Sequence, residues 1–310
     1  MTDLGGNRVR TVLVGYDGRS ASDDALALAV QLAGLLDAKV LLVYAYDPAT
    51  DSAPQGVRTG ADSAQRAAKE ILQRGMRSLP YGVPADCVAV PRVPAAHVLQ
   101  ELAETESAAL IVLGPTEFGP LSRLLVGSAA ERLVQNAPCP VAVAPRDYRL
   151  GHAERIERIG VCWDGSPESE HALDFAGELA GEGPVGLYLY RVMQPLVLAY
   201  PSTPDSEIAY EESSTQAAEE ALGRARNRVS ARVVTSAKVL RGDPAKQLSD
   251  QALSDKLHLL VLGSRGFGPL KRTLLGGVSD RVMRLAACPT LIVSRAAAAG
   301  PQATTAVAQA

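Results

Sequence analysis

The sequence predicts an α/β fold: two doubly wound domains in tandem, each a parallel sheet with helices on both faces. Three observations predict it. The first is an internal repeat, the feature to look for before any other. Val112-Leu113-Gly114, Phe118-Gly119-Pro120-Leu121 and Cys139-Pro140 recur 149 positions later as Val261-Leu262-Gly263, Phe267-Gly268-Pro269-Leu270 and Cys288-Pro289. Arg123, Gly127 and Arg132 recur in the same way as Arg272, Gly276 and Arg281. Asp17-Gly18 and Ala25-Leu26 recur 147 positions later as Asp164-Gly165 and Ala172-Leu173. Matched ends at nearly equal offset mean duplicated whole domains, because the period is far longer than a solenoid unit. The second observation is that strand-like and helix-like segments alternate inside each copy. The third is that the strand-like runs are apolar throughout, as strands buried on both faces are. The expected domains are residues 1–150 and 151–296. The boundary falls in the polar stretch from Pro145 to Ile156, and the Ala-rich residues 297–310 form a tail expected to be disordered or loosely docked.

Each element of the first copy has its own signal. Thr11 to Tyr16 is a short apolar strand, and Asp17-Gly18 turns the chain. Ser20 opens a helix with Asp23 placed as a capping-box acid, and Leu26, Ala29, Val30 and Ala33 share one face of it. Val40 to Tyr46 is a second strand, Ala61 to Arg77 an amphipathic helix, and Cys87 to Val90 a third strand. Ala95 to Glu104 is helical, Ala109 to Leu113 is a fully apolar strand, Gly127 opens a helix ending near Asn136, and Val141 to Ala144 is the last strand. The second copy repeats this order, with Ser166 as an N-cap and Pro167 at the first helical position. In open sheets of this kind ligands bind beyond the carboxyl ends of the strands, where the winding reverses. That places a site at the loops after the first and fourth strands, which hold Asp17 and Gly114 in one copy and Asp164 and Gly263 in the other. The Pro- and Ser-rich loops Asp47 to Gly60 and Gln194 to Ser206 are expected to border it.

Composition bounds the function. Hydrophobic residues make up 47% of the 310 positions, charged residues 21% and aromatics only 4%, so Ala, Val, Leu and Ile must build the core. The net charge is −3 and no long basic run occurs, which argues against nucleic acid as partner. No apolar run reaches the length of a membrane helix and no signal segment opens the chain, so no membrane role and a cytoplasmic location are expected. Cys87, Cys139, Cys162 and Cys288 form no C-x-x-C pair, and all four read as small buried apolar residues. The four histidines share no metal spacing, so no protein metal site is expected; His97 and His258 read as surface or strand-edge residues.

The loop after the fourth strand of the second copy carries the chemistry. It reads Gly263-Ser264-Arg265-Gly266-Phe267-Gly268, and Gly276-Gly277-Val278-Ser279 follows at a helix start. Glycines let backbone N–H groups approach an anion, and a helix start adds unpaired donors and positive potential. Arg265, Lys271 and Arg272 add charge. The segment is not a Walker A loop, because Pro269 stands where the lysine belongs, and it is not a dinucleotide fingerprint, which would follow the first strand. These residues by themselves support a phosphate cradle and a tight turn for helix packing equally. Asp17 and Asp164 by themselves favour a turn role, in which Asp bonds its own backbone, over a ligand role. Tyr16 and Trp163, one residue before, point to the opposite face and read as packing residues. No Ser-His-Asp elbow, zinc-protease motif or C-x-x-C occurs, so no enzyme activity is expected.

Gly263-x2-Gly266-x9-Gly276 resembles the ATP-binding signature of the universal stress protein family. The first strand ending in Asp-Gly, Gly242-Asp243-Pro244-Ala245 after the third strand, and the Cys-Pro that opens the last strand resemble that family too. The resemblance covers both copies nearly end to end. It implies two flavodoxin-like (Rossmann-like) domains, each with a five-stranded parallel sheet, and ATP with Mg²⁺ bound as a signal rather than cleaved. It implies that Asp17 and Asp164 contact the adenine or ribose side and that Ala45 and Val192 pack on the base. The glycine loop and helix start would hold ribose and phosphates: Gly263, Arg265, Gly266, Gly276, Gly277, Val278 and Ser279 in the second copy, and Gly114, Gly127, Ser128 and Ala129 in the first.

Each copy departs from the signature. Glu117 replaces the second glycine in the first copy, which would set a carboxylate against phosphates. Gly277 replaces the expected Ser or Thr in the second, at the cost of one hydrogen bond, about 1 kcal/mol. The second copy is therefore expected to be the better site. A nucleotide-independent interaction module and a slow ATPase are the competing readings, and the protein partner is not legible. The family's last strand commonly pairs across a dimer. Val141 to Ala144 and Thr290 to Val293 are then expected to make an intramolecular pseudo-dimer, which leaves a further homodimer of chains open.

Overall fold

A computed structural model describes residues 9–48, 61–115, 128–151, 155–181, 184–194, 203–229, 233, 235–264 and 277–294. In the first half the order is β1 (Arg10–Gly15), α1 (Ser20–Leu36), β2 (Ala38–Ala45), α2 (Ala61–Ser78), β3 (Ala85–Val90), α3 (Ala95–Thr105), β4 (Leu110–Leu113), α4 (Ser128–Asn136) and β5 (Val141–Val143). A short helix, α5 (Tyr148–Gly151), precedes the second half. There follow β6 (Arg158–Cys162), α6 (Pro167–Ala180), β7 (Gly186–Met193), α7 (Pro204–Arg228), β8 (Thr235–Arg241), α8 (Pro244–Ser254), β9 (Leu259–Ser264), α9 (Val278–Leu285) and β10 (Thr290–Ser294).

All ten strands form one sheet, in the order β3-β2-β1-β4-β5-β10-β9-β6-β7-β8. Within each half every pairing is parallel. The order 3-2-1-4-5 is the Rossmann variant of a doubly wound sheet, with its reversal between the first and fourth strands. The halves join through one antiparallel pair, β5 on β10, with Leu291 opposite Ala142. Edge strands need cover, and this pairing removes one edge from each half. Two hydrophobic cores lie on the two faces of the sheet, and each runs through both halves. One holds Val12, Leu28, Tyr148, Val161, Leu187 and Leu291, and the other holds Leu13, Leu99, Leu133, Leu248, Leu260 and Ile292.

Several local expectations need correction. The capping box on α1 does not form: the N-cap is Arg19, and Asp23 instead accepts from the Tyr16 hydroxyl at 2.9 Å and from Arg149 at 2.7 Å. α1 is buried on more than one face, because it covers the sheet and also packs on α5 and α6. The segment between the halves is docked rather than simply polar. Tyr148 and Ile156 are buried, and the buried Asp24 accepts from the N–H groups of Asp147 and Arg149 at 3.0 and 3.1 Å. The stretch read as a loop up to Ser206 ends sooner, because Thr203 and Ser206 form a capping box with Pro204 at the start of α7. Cys87 is exposed, since β3 is an edge strand. Cys139 and Cys288 are buried, and burial pushes both thiols up to about 12. His258, just before β9, is nearly buried and takes the Glu157 N–H on Nδ1 at 2.9 Å.

One polar cluster braces the second half. Asp255, at the end of α8, accepts from the buried Tyr190 hydroxyl at 2.6 Å, from Lys238 Nζ at 2.9 and 2.8 Å, and from Gln251 Nε2 at 2.9 Å. Burial by itself would raise the Asp255 carboxyl, but the donors from Lys238, Tyr190 and Gln251 outweigh it and hold the group below its ordinary value. A depressed folded value stabilises the protein above the unfolded pKa, and that stabilisation is lost as pH falls through the folded one. Asp255→Ala is therefore expected to cost roughly 2 kcal/mol near neutrality, because it strands the Tyr190 hydroxyl. The gap to the parent should narrow as pH drops below about 4, where Asp255 is protonated and the charge-dependent share is lost. Urea unfolding midpoints against pH check both; a gap that stays constant into acid would sink the assignment.

Candidate functional site

Each half carries a cleft at the carboxyl end of its sheet, where the winding reverses. The first, about 380 Å³, lies between the turn after β1, the end of β2, the residue after β4, and α4; Asp17, Ala45, Gly114 and Ala130 line it. The second, about 460 Å³, is lined by Asp164, Val192, Gly263, Gly277, Val278 and Ser279 at the equivalent places. Both volumes suit a small-molecule ligand. Ser128 and Ala129 open α4. Gly127, Arg265, Gly266 and Gly276, together with Glu117, Lys271 and Arg272, lie outside the described residues, as do most of the two loops expected to border the clefts; Gln194 does line the second.

The acids after β1 and β6 make turns and line the clefts at once. Asp17 Oδ1 accepts the Arg19 N–H at 3.0 Å, and Asp164 Oδ1 accepts the Ser166 N–H at 2.9 Å. Gly18 and Gly165 sit between, with φ of 79° and 84°, which only glycine adopts freely. Tyr16 and Trp163 point into the core on the other side, as their place in the strand requires. The glycines after β4 and within β9 also have a packing role. A Cβ on Gly114 would stand 1.9 Å from the Ala21 carbonyl oxygen, and one on Gly263 would stand 2.5 Å from the Glu168 carbonyl oxygen. The first glycine of the signature is thus where the sheet meets the start of α1 or α6.

The second cleft offers more donors. Ser264 lines it where Pro115 lines the first; Pro115 has no N–H and no hydroxyl. Ser166 and Ser169 also face it. Gly277 caps α9 without a side-chain hydrogen bond, and the Ser279 hydroxyl donates to the Gly263 carbonyl at 3.1 Å, tying α9 to β9. α9 is held from its other side by Arg281, which reaches Asp243 at 2.7 and 2.9 Å. Val93 occupies the place of Asp243 in the first half and has no carboxylate to offer Arg132. The Arg281 guanidinium and the Lys246 N–H hold the Asp243 carboxyl below its usual range.

Sequence reading missed three features. Asp280 lines the second cleft, its charge met by Arg284 at 3.0 Å one helical turn on; the i,i+4 spacing was the available signal. Arg19 is the cation that lines the first cleft among the described residues. Val134 and Gln135 of α4, in the first half, line the second half's cleft, and no local pattern could announce that. Among the described residues no group of His, Cys, Asp and Glu could hold a metal ion, and no helix is long and apolar enough to cross a membrane.

Comparison with known proteins agrees with this arrangement. Residues 8–145 and again 155–294 match the universal stress protein family. The chain belongs to the universal stress protein family. It is a tandem member, with a copy in each half. A universal stress protein of Mycolicibacterium smegmatis is 29% identical over 295 residues, covering 91% of this chain and 96% of that one. One from Mycobacterium tuberculosis is 28% identical over 300 residues, covering 93% and 97%. The crystal structure of a universal stress protein from Archaeoglobus fulgidus matches with a TM-score of 0.66 at 17% identity, over 92% of this chain and 98% of that one, which is a likeness of fold.

Proposed function

We propose that this universal stress protein binds ATP, with Mg²⁺ carried on the phosphates, in its sheet-end clefts, and that the bound nucleotide acts as a cytoplasmic stress signal rather than a fuel. The observation that carries this reading is the second cleft. An acid-bearing turn, an apolar strand end at Val192, the Ser264 hydroxyl and the capless start of α9 converge there on one cavity of nucleotide size. Backbone N–H groups at a helix start suit phosphate oxygens, and an apolar strand end suits a base. The signature glycines Gly266 and Gly276 and the cation Arg265 stand between β9 and α9 in the sequence. The sequence carries no catalytic motif that would position a base, and phosphates held on N–H groups alone favour retention over cleavage.

The second half is expected to bind more tightly. Ser264 against Pro115 adds two donors, and Gly266 against Glu117 removes a carboxylate from the phosphate path. Since β5 and β10 complete one sheet, the test uses the full chain rather than separated halves. Calorimetry should resolve two events about tenfold or more apart, equivalent to ~1.4 kcal/mol. Gly266→Glu should weaken the tighter event and Glu117→Gly should strengthen the weaker one. No release of inorganic phosphate should accompany either. Two equal sites, or a tighter event untouched by Gly266→Glu, would reverse the ranking. Absence of any heat or of co-purified adenine nucleotide would favour an interaction module. That second reading has one observation behind it: among the described residues Asp164 and Asp280 line the second cleft and no cation does.

A further inference from the structure

A third cavity, about 610 Å³, lies on the α1 and α2 face of the first half, where the segment leading to the second half crosses it. One wall is apolar: Leu26 and Val30 of α1, and Leu79 after α2. The other is cationic, with Arg74 of α2, Arg149 of α5 and Arg155. Asp23 is the carboxylate that lines it, so the formal balance of three arginines and one acid is +2. Asp23 is already committed to Arg149 and to the Tyr16 hydroxyl. Arg74 and Arg155 therefore carry the excess charge, and neither has a carboxylate in ion-pair reach among the described residues.

The second half shows that the fold does not demand this cleft. Glu170 and Asp174 stand at the places of Asp23 and Ala27, and both hold Arg228 from the end of α7. The groove between the first two helices is bridged there by ion pairs. In the first half Ala27 has no carboxylate, and the corresponding groove is open, cationic on one side and apolar on the other.

We propose that this cleft is a separate ligand site for a small amphiphilic anion, with a carboxylate or phosphate head on Arg74 and Arg155 and an apolar body along Leu26, Val30 and Leu79. Guanidinium groups match such heads bidentately, and the apolar wall supplies what a free inorganic ion could not use. The site shares Tyr16 with the first sheet-end cleft but is otherwise lined by different residues, so nucleotide is expected to leave it open to its own ligand.

The test titrates the full chain with anilinonaphthalene sulfonate, an amphiphilic anion that fluoresces when desolvated. A single saturable site is expected, displaced by decanoate and not by ATP. Arg74→Glu and Arg155→Glu should each weaken it by about tenfold. Ala27→Asp, which copies the second half, should abolish it. Arg155 is exposed, so its variant should fold normally, and circular dichroism checks the Ala27 variant. Probe binding that survives all three substitutions would overturn the assignment. Displacement by ATP would assign the probe to the sheet-end clefts and overturn it too. Displacement by inorganic phosphate as effective as that by decanoate would remove the role of the apolar wall and with it the proposal.

Discussion

Replacing Gly114 by alanine is expected to destabilise the protein by about 3 kcal/mol with no ligand present. The new Cβ would stand 1.9 Å from the Ala21 carbonyl oxygen and 2.5 Å from its carbonyl carbon. Both atoms are helix backbone in the first turn of α1, so they cannot swing aside as a side chain would; the helix start must move, and α1 is buried against both the sheet and the second half. Gly263→Ala should act in the same direction, since its Cβ would lie 2.5 Å from the Glu168 carbonyl and 2.7 Å from the Ser169 nitrogen. Gly34→Ala and Gly223→Ala are the contrasting cases, helical positions with nothing within 4 Å. They should be neutral or stabilise by ~0.5–1 kcal/mol. Urea midpoints measured without nucleotide separate the two classes. A Gly114 variant as stable as the parent, deficient only in nucleotide binding, would show that the glycine serves phosphate approach and not packing.

Leu291→Asp is expected to have the larger effect, about 4 kcal/mol or more, and to be felt in the half that does not contain it. Leu291 is fully buried at the middle of the ten-stranded sheet, opposite Ala142 of β5 on one side and Val261 of β9 on the other. A carboxylate there has no partner to meet it, and neutralising it still leaves a polar group in an apolar layer. Losing β10 would return β5 to an unpaired edge. Hydrogen exchange should therefore accelerate at residues 141–143 well before it does at β3, on the far edge of the same half. Unchanged protection of β5 in this variant would mean that the halves fold and persist separately.

Much of the candidate site was legible before the fold was. Asp17, Ala45 and Gly114, and Asp164, Val192 and Gly263, line clefts because they sit at the carboxyl ends of strands, and Gly277, Val278 and Ser279 because they open the helix that faces those ends; both can be read from apolar runs and turn residues. The repeat allowed the two copies to be compared position by position, which exposed Glu117 and Gly277 as departures. What was misread shares a cause. Asp23 looked like a cap because capping is a local pattern, yet its partners are Tyr16, which only the fold turns toward it, and Arg149, which follows 126 residues later. Cys87 looked buried because unpaired cysteines usually behave as small apolar residues, and its exposure follows from an edge position that only the strand order defines.

The sequence by itself determined the α/β class, the two copies, most strands and helices and the sheet ends at which the clefts open, because those follow from the internal repeat and from periodicities a few residues long. Only the tertiary structure decided that Gln135 of one half lines the other half's cleft, that Gly114 and Gly263 touch helix backbones, and that an arginine-lined cavity lies beside Ala27 where the second half has the Asp174–Arg228 ion pair. Each of these is a meeting of segments far apart in the chain. Their proximity is set by how buried faces pack against one another, a property of the whole core that no local spacing encodes.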